Sequence, residues 1–509
     1  MPFADRAIEL SMLAAYLAVL LWIGIRSARQ VQSSGDYTLA GRDVPWVVVL
    51  ATTAASMIGG GASVGMVSQV CQFGIVAAVV TCAWHLQLIF TGLFVAPKLR
   101  GLNLITVGDY FHLKFGPLAR ELAVVNCVIF LVGALAAQMA AIGTVTNTVL
   151  GVPYGMALLI GATVTIFYST VGGIRAVVST DVLQFVILVI GIGTASMLLV
   201  SSHGGFAAMQ AAASEGHFQI TSHWSAMELF SLFFAFMLGE TFVPPYAVRC
   251  FIAKDKQHAK WGVAGGGVFL LLFLPIATFI LGTSAQINPE VQAAIENEQQ
   301  QLLDEAADTG KALTEEDAQK QAYQVAFPTL VRVTFHPVFA GVMIAAIIAA
   351  VMSSADSCLS CLATVVMEDA YRRHIDPLAT DKHLLRVAQA STLILGSTGA
   401  VCAWYFSNVA DILVFVYDFW APTMVLPFII AVFWYHESRV YAVVASMIVG
   451  AIAAIVWRFG LDSPGDVGPA LFGFAAALLA FIVALPLTSS LRRGWLFCPC
   501  SDSSEKDPT

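Results

Sequence analysis

Ala54-Ala55-Ser56-Met57-Ile58-Gly59-Gly60-Gly61-Ala62-Ser63 interrupts a segment, 44–67, that is otherwise long and apolar enough to cross a bilayer. Each glycine weakens a helix by roughly 1 kcal/mol relative to alanine. Backbone polar groups freed in hydrocarbon are more unfavourable still, so such a break persists at membrane depth only where protein buries it or where it lines a watery cavity. The freed carbonyls and half-helix ends are then available to an ion or a solute. The stretch predicts a helix broken in mid-membrane, with a binding centre built around it.

The composition agrees with a membrane setting. Of 509 residues, 58% are hydrophobic and 11% are charged, and the mean hydropathy is +0.80. A soluble domain carries about 25% charged residues, so the chain reads as an all-α polytopic membrane protein. The net charge of −8 comes largely from one acidic insert and points to no nucleic-acid partner. Seven of the nine cysteines lie within apolar segments and read as small core residues. Cys498 and Cys500 stand in the tail, with no second pair to complete a zinc site. The first apolar run, 7–25, has spanning length and no small-residue cleavage site, so it reads as a span and not as a signal peptide.

Segments of spanning length fall near 7–26, 44–67, 73–96, 121–148, 154–172, 176–201, 228–251, 261–284, 335–367, 386–407, 409–435, 439–458 and 467–490, thirteen in all. Lys and Arg at the ends of these segments alternate in density, 20 on one side (Arg249 among them) against 5 on the other. By the positive-inside rule this places the N-terminus outside and the C-terminus in the cytoplasm. An insert at 285–330, rich in Glu, Asp and Gln, falls on the outer side, and its pattern suggests short amphipathic helices over the outer mouth.

A second interruption, Gly239-Glu240-Thr241-Phe242-Val243-Pro244-Pro245-Tyr246, lies at the centre of segment 228–251. Two prolines remove two donors and fix φ, so the helix breaks there. The glycine break lies in the second span and the proline break in the seventh. Five spans apart, they face opposite ways across the membrane. Two broken helices at corresponding positions of oppositely oriented five-helix units are the sequence mark of an inverted-repeat secondary transporter. The expected plan is a peripheral span and loop (1–40), a first five-helix repeat (41–206), a second with the acidic insert (207–437), two peripheral spans (438–491) and a cytoplasmic tail (492–509).

Ionisable residues within spans are functional candidates by default; here they are His85, Asp181, Glu240, Asp356, Asp411 and Asp418. The densest cluster is Ala350-Val351-Met352-Ser353-Ser354-Ala355-Asp356-Ser357. On a helix, Ser353, Asp356 and Ser357 share one face, with Ser354 about 100° round. Hydroxyls and a carboxylate beside freed carbonyls make an all-oxygen site of the kind hard cations prefer. Serines also serve close helix packing, which accounts for one serine but not for three plus an aspartate within five residues.

The run Gly172-Gly173-Ile174-Arg175-Ala176-Val177-Val178-Ser179-Thr180-Asp181-Val182-Leu183-Gln184, the serine cluster and the thirteen-span plan together resemble the sodium:solute symporter family over roughly 40–490. The resemblance implies a leucine-transporter-like 5+5 inverted repeat, with Na⁺ as coupling ion. It places a Na⁺ among the carbonyls of Ala55, Ile58 and Ala350 and the hydroxyls of Ser353 and Ser354. In some members a further Na⁺ is held at positions matching Asp181, Ser353, Asp356 and Ser357, which implies two ions per cycle.

The Met-Ile-Gly-Gly-Gly and Ser-Ser-Ala-Asp-Ser runs look most like the choline-transporter branch. Where that branch carries cage tryptophans this chain has Met57 and Val243, so the aromatic cage that a quaternary ammonium needs is depleted. Candidate solute contacts are Met57, Gly60 and Gly61 at the first break; Thr81, Trp84 and His85 on one stripe of the third span; Gln138; Glu240 and Phe242 at the second break; and Phe415 and Tyr417. The glycines are expected to let the solute approach the backbone. The expected activity is Na⁺-coupled import of a small polar solute (amine, amino acid, sugar or carboxylate) across the plasma membrane, with no obligate protein partner. A proton-coupled carrier of the same fold and a transporter-like solute sensor are the alternatives. No nucleophile–base or metal-ligand spacing outside the ion cluster points to an enzyme.

Overall fold

The computed structural model of the protein describes residues 3–221, 224–309, 313–405 and 409–488. Among these residues every regular element is helical, and the one β-type contact is an isolated bridge between Val44 and Ala253. Ten helices are long and apolar enough to span a membrane, or twelve when two bent pairs each count as one span. The longest of them is Tyr154–Ser202. Straight, it would reach roughly 70 Å, over twice the hydrocarbon thickness. It is broken at Gly173, where φ is +54° and ψ −159°. A side chain at Gly173 would also lie 2.5 Å from the ring of Tyr37, so both backbone and space require glycine there. The long helices fall where the sequence places its apolar segments.

The first interruption ends helix Trp46–Met57 at Ile58, whose ψ of 57° leaves the helical region, and the chain resumes over Gly61–Phe73 at 61° to it. The Gly60 N–H donates to Gln138 Oε1 at 2.7 Å, and the Ser63 hydroxyl donates to the Gly59 carbonyl at 2.7 Å. The first of these bonds satisfies a backbone group at the break, while the Gly59 carbonyl also accepts from Ser63 N at 2.9 Å. The three glycines are packing devices. A Cβ at Gly59 would collide with Ser354 Oγ, one at Gly60 with Ala141 Cβ, and one at Gly61 with Leu413 Cδ1. Three helices close on the break from three directions.

In the second broken helix, Ala226–Gly239 and Pro244–Ile252 meet at 41°. The prolines occupy the first two positions of the second half, where a missing N–H breaks no helical bond. Trp420 Nε1 donates to the Thr241 carbonyl at 2.8 Å, satisfying a group in the gap. The serine-bearing helix Pro337–Thr364 is buried along nearly its whole length and packs against Tyr154–Ser202, Pro117–Leu150 and Phe3–Ala28. Its Ala349, Ala350, Ser353, Ser354 and Ala355 permit that closeness, as small residues do between membrane helices.

At one end of the bundle, Val44 N donates to the Ile252 carbonyl at 3.3 Å and Lys254 N donates to the Val44 carbonyl at 2.9 Å. The chain just before the first broken helix is thereby stapled to the chain just after the second, and Arg100 Nε adds a bond of 2.5 Å to the Ala253 carbonyl. At the other end, the acidic insert folds as helices, among them Pro289–Thr309 and Glu315–Ala322. Ser68 Oγ donates to the Tyr323 carbonyl at 2.9 Å, so the end of the insert rests on the far half of the first broken helix. Cys498, Cys500 and the Asp411 side chain lie outside the described residues.

Candidate functional site

The helix Pro337–Thr364 meets the first break through two hydroxyls. Ser353 Oγ donates to the Ala55 carbonyl at 2.7 Å and also lies 3.2 Å from the Ala350 carbonyl. Ser354 Oγ donates to the Ser56 carbonyl at 2.6 Å. Ser353 therefore gathers two of the expected carbonyls, those of Ala55 and Ala350, at one hydroxyl. Ile58, the remaining carbonyl contributor, is fully buried where the helix unwinds. Carbonyl dipoles and hydroxyls of this kind suit a small hard cation.

The residues matched to a further Na⁺ are arranged differently. Arg249, on the second broken helix, is fully buried and reaches across to the first. Its guanidinium donates to Ser56 Oγ at 2.6 Å, Ser357 Oγ at 2.7 Å, Asp181 Oδ2 at 3.1 Å and the Pro245 carbonyl at 3.0 Å. Thr52 adds its hydroxyl to Asp181. Asp356, also fully buried, accepts instead from Tyr168 and, at 2.6 Å, from Ser169. A guanidinium thus bridges Asp181 and Ser357, while Asp356 is engaged by a different pair of hydroxyls. At Asp181 the guanidinium supplies the positive charge, and Asp181 Oδ1 is buried with no hydrogen-bond partner among the described residues.

Between the two breaks lies a cavity of about 50 Å³. Of the candidate solute contacts, Met57, Gly61, Trp84, Gln138, Glu240 and Tyr417 line it, as do Phe130, Tyr246, Ser354 and Ser357. Glu240 accepts the hydroxyl of Tyr417. The Tyr246 hydroxyl lies 2.7 Å from Met57 Sδ and joins the two broken helices. Five candidates lie off the cavity. Gly60 packs on Ala141 and donates its N–H to Gln138 Oε1. Thr81 bonds back to the Ala78 carbonyl at 2.7 Å. His85 is fully buried, and neither ring nitrogen has a hydrogen-bond partner among the described residues. Phe242 stacks on Phe428 at 3.9 Å, and Phe415 packs on Phe419 with the Arg458 guanidinium over its ring. Asp418 is an ion-pair partner of Arg458.

Arg249 corrects the sequence reading, which counts it with the cytoplasmic loop charges. A cation at the end of an apolar run looks like a flanking residue, and only its buried partner Asp181 reveals otherwise. The signal present in the sequence is its place five residues after Pro244, within segment 228–251 itself.

Oxygens gathered at one broken helix, beside a cavity that a second broken helix completes, define an ion-coupled secondary transporter. The chain belongs to the sodium:solute symporter family, whose family model matches residues 37–450. It is 25% identical to the sodium/glucose cotransporter of Vibrio parahaemolyticus, over 95% of this chain and 90% of that protein. It is 25% identical to a sodium/proline symporter of Haemophilus influenzae, over 92% of each, and 27% identical to the high-affinity proline transporter of Bacillus subtilis, over 92% and 96%. A Na⁺-coupled sialic acid symporter in its substrate-bound outward-open state superposes with a TM-score of 0.78 at 18% identity, covering 94% of this chain and 97% of that one. The chain is accordingly a multi-pass, Na⁺-coupled solute symporter with the leucine-transporter-like fold, and not an enzyme.

Proposed function

We propose that the protein imports a small polar organic solute across the plasma membrane, with its N-terminus outside and C-terminus in the cytoplasm. One Na⁺ binds among the carbonyls of Ala55, Ile58 and Ala350 and the hydroxyls of Ser353 and Ser354. The observation that carries this reading is the Ser353 hydroxyl shared between the Ala55 and Ala350 carbonyls, at 2.7 and 3.2 Å. A cation entering there replaces a hydrogen bond with ligation by the same three oxygens and ties the broken helix to the serine-bearing helix. The solute occupies the cavity between the two breaks. Arg249 supplies a second, permanent positive charge beside Asp181, so a single Na⁺ suffices in this reading. Alternating access then moves the two broken helices relative to the serine-bearing helix, and the membrane potential contributes about 2.3 kcal/mol per charge per 100 mV.

The test is thermal unfolding and solute accumulation with purified protein. Na⁺ without solute is expected to raise Tm relative to equimolar K⁺. In proteoliposomes an inward Na⁺ gradient drives accumulation, and an inward proton gradient in K⁺ does not. Accumulation driven by protons in the absence of Na⁺ would favour the proton-coupled carrier. Solute binding with no accumulation under either gradient would favour a sensor.

A further inference from the structure

The charges that face the cavity do not balance. Among the described residues that line it, Glu240 is the one acidic side chain, and there is no Lys, Arg or His. Arg249 approaches through the lining residues Ser56 and Ser357, but it is already paired with Asp181. Glu240 Oε1 accepts from Tyr417, while Oε2 is buried with no hydrogen-bond partner among the described residues. The Tyr246 hydroxyl reaches this carboxylate as well as Met57 Sδ, which lies 2.7 Å from it.

The backbone around Glu240 adds to the negative side. Helix Ala226–Gly239 ends at this residue, so the negative pole of that half-helix lies here. The following half begins with Pro244 and Pro245, which lack N–H groups. Half-helix N-termini in transporters of this architecture face anionic groups, and here two of the donors needed for that are missing. The second break is therefore built against an anion and in favour of a cation.

We infer that the transported solute carries a protonated amine that donates an N–H to Glu240 Oε2. An ammonium supplies the positive charge that the lining lacks together with a further N–H for the buried carboxylate. A quaternary ammonium brings the charge without the donor, a sugar brings donors without the charge, and a carboxylate brings neither. The aromatic rings of Trp84, Phe130 and Tyr246 on the cavity wall also favour a cation. The inference rests on the reading of this cavity as the solute site of the symporter. Free amines and amino acids share the recognised group, and the experiment separates them.

The test is a thermal-shift screen of the full-length protein in Na⁺ and in K⁺. Its arms are the twenty amino acids with proline included, small primary and secondary amines beginning with ethanolamine, tetramethylammonium, glucose, and acetate. In Na⁺, one or more members of the amine or amino-acid arms raise Tm and the last three do not. Glu240→Gln keeps the shift caused by Na⁺ alone and weakens amine binding tenfold or more. The inference is overturned if tetramethylammonium, glucose or acetate stabilises as well as any amine, if no amine acts while Na⁺ does, or if Glu240→Gln binds the amine unchanged. Absence of any shift by Na⁺ alone is the distinct failure of the symporter reading. The screen on the unaltered protein decides the matter even where Glu240→Gln does not fold.

Discussion

Replacing Arg249 with methionine leaves the Asp181 carboxylate fully buried with no cation beside it. Removing one partner of a buried ion pair typically destabilises by about 3–5 kcal/mol, because the remaining charge is uncompensated. Asp181→Asn is expected to be of similar size from the opposite side, since the guanidinium keeps Ser56, Ser357 and the Pro245 carbonyl but loses its anion. Independent effects would sum to about 6–10 kcal/mol in the double variant. The double variant Arg249→Met/Asp181→Asn, however, leaves no charge of this pair buried, and it loses only about 1 kcal/mol for each hydrogen bond not remade. It should therefore be no less stable than either single variant. Thermal unfolding in detergent, with K⁺ in place of Na⁺, reads this directly. A second readout tests the role of the guanidinium as a resident cation. In Arg249→Met, Asp181, Ser56 and Ser357 offer a carboxylate and two hydroxyls to solvent cations. The Na⁺-induced gain in Tm should then grow, and its Na⁺ dependence should steepen from one-site to two-site behaviour. Strict additivity of the two single variants, or two-site Na⁺ dependence already in the unaltered protein, would refute the reasoning.

Two further substitutions probe the ion site and the break. Ser353→Ala removes the hydroxyl shared by the Ala55 and Ala350 carbonyls. Loss of one neutral ligand is expected to weaken Na⁺ binding about tenfold, or about 1.4 kcal/mol, with Ser353→Thr retaining affinity; Na⁺ titration of Tm checks both. Gly59→Ala drives a methyl into Ser354 Oγ and places it 2.9 Å from Gln138 Oε1. Overpacking there should destabilise by about 1–3 kcal/mol and weaken Na⁺ binding through Ser354. Gly193→Ala, with its nearest new contact an ordinary 3.6 Å to Phe273, should leave both Tm and the Na⁺ titration nearly unchanged.

The fold is legible in the sequence because its decisive features are local. Gly59-Gly60-Gly61 and Pro244-Pro245 cannot continue a membrane helix whatever surrounds them, so both breaks and their spacing of five spans can be read directly. Ser353 and Ser354 are legible for a similar reason, as hydroxyls concentrated on one turn of an apolar helix. Side-chain direction is not legible on helix Ile75–Phe90, which is buried on most of its faces. A stripe holding Thr81, Trp84 and His85 cannot say which neighbour it meets, and only Trp84 reaches the cavity. Arg249 is hidden because its burial depends on Asp181, 68 residues earlier in the chain. Gly60 is ambiguous because close packing and close solute approach both need a missing Cβ, and the nearness of Ala141 is not visible in the sequence.

The short distance between ion oxygens and cavity removes the need for a long coupling pathway. A single turn, Ser353–Ser357, serves both: Ser353 reaches the Ala55 carbonyl, while Ser354 and Ser357 line the cavity. Ser56 faces the same turn from the first break. Its carbonyl accepts from Ser354, and its hydroxyl lies 3.0 Å from Ser357 while accepting from Arg249. In the proposed reading, a cation that fixes Ser353 against the break also fixes the wall of the solute cavity, and a bound solute holds the same turn for the cation. Linkage requires the two effects to be equal in size, and couplings of this kind are commonly about 1–3 kcal/mol, or roughly 5- to 150-fold in affinity. Glu240 stands on the other broken helix and lines the same cavity as this turn. In that reading, a protonated amine bridging Glu240 to the serine-bearing side would join the second break to the assembly that Na⁺ forms with the first. In that geometry neither Na⁺ nor amine alone closes the set of contacts, which is the physical requirement for moving the two together.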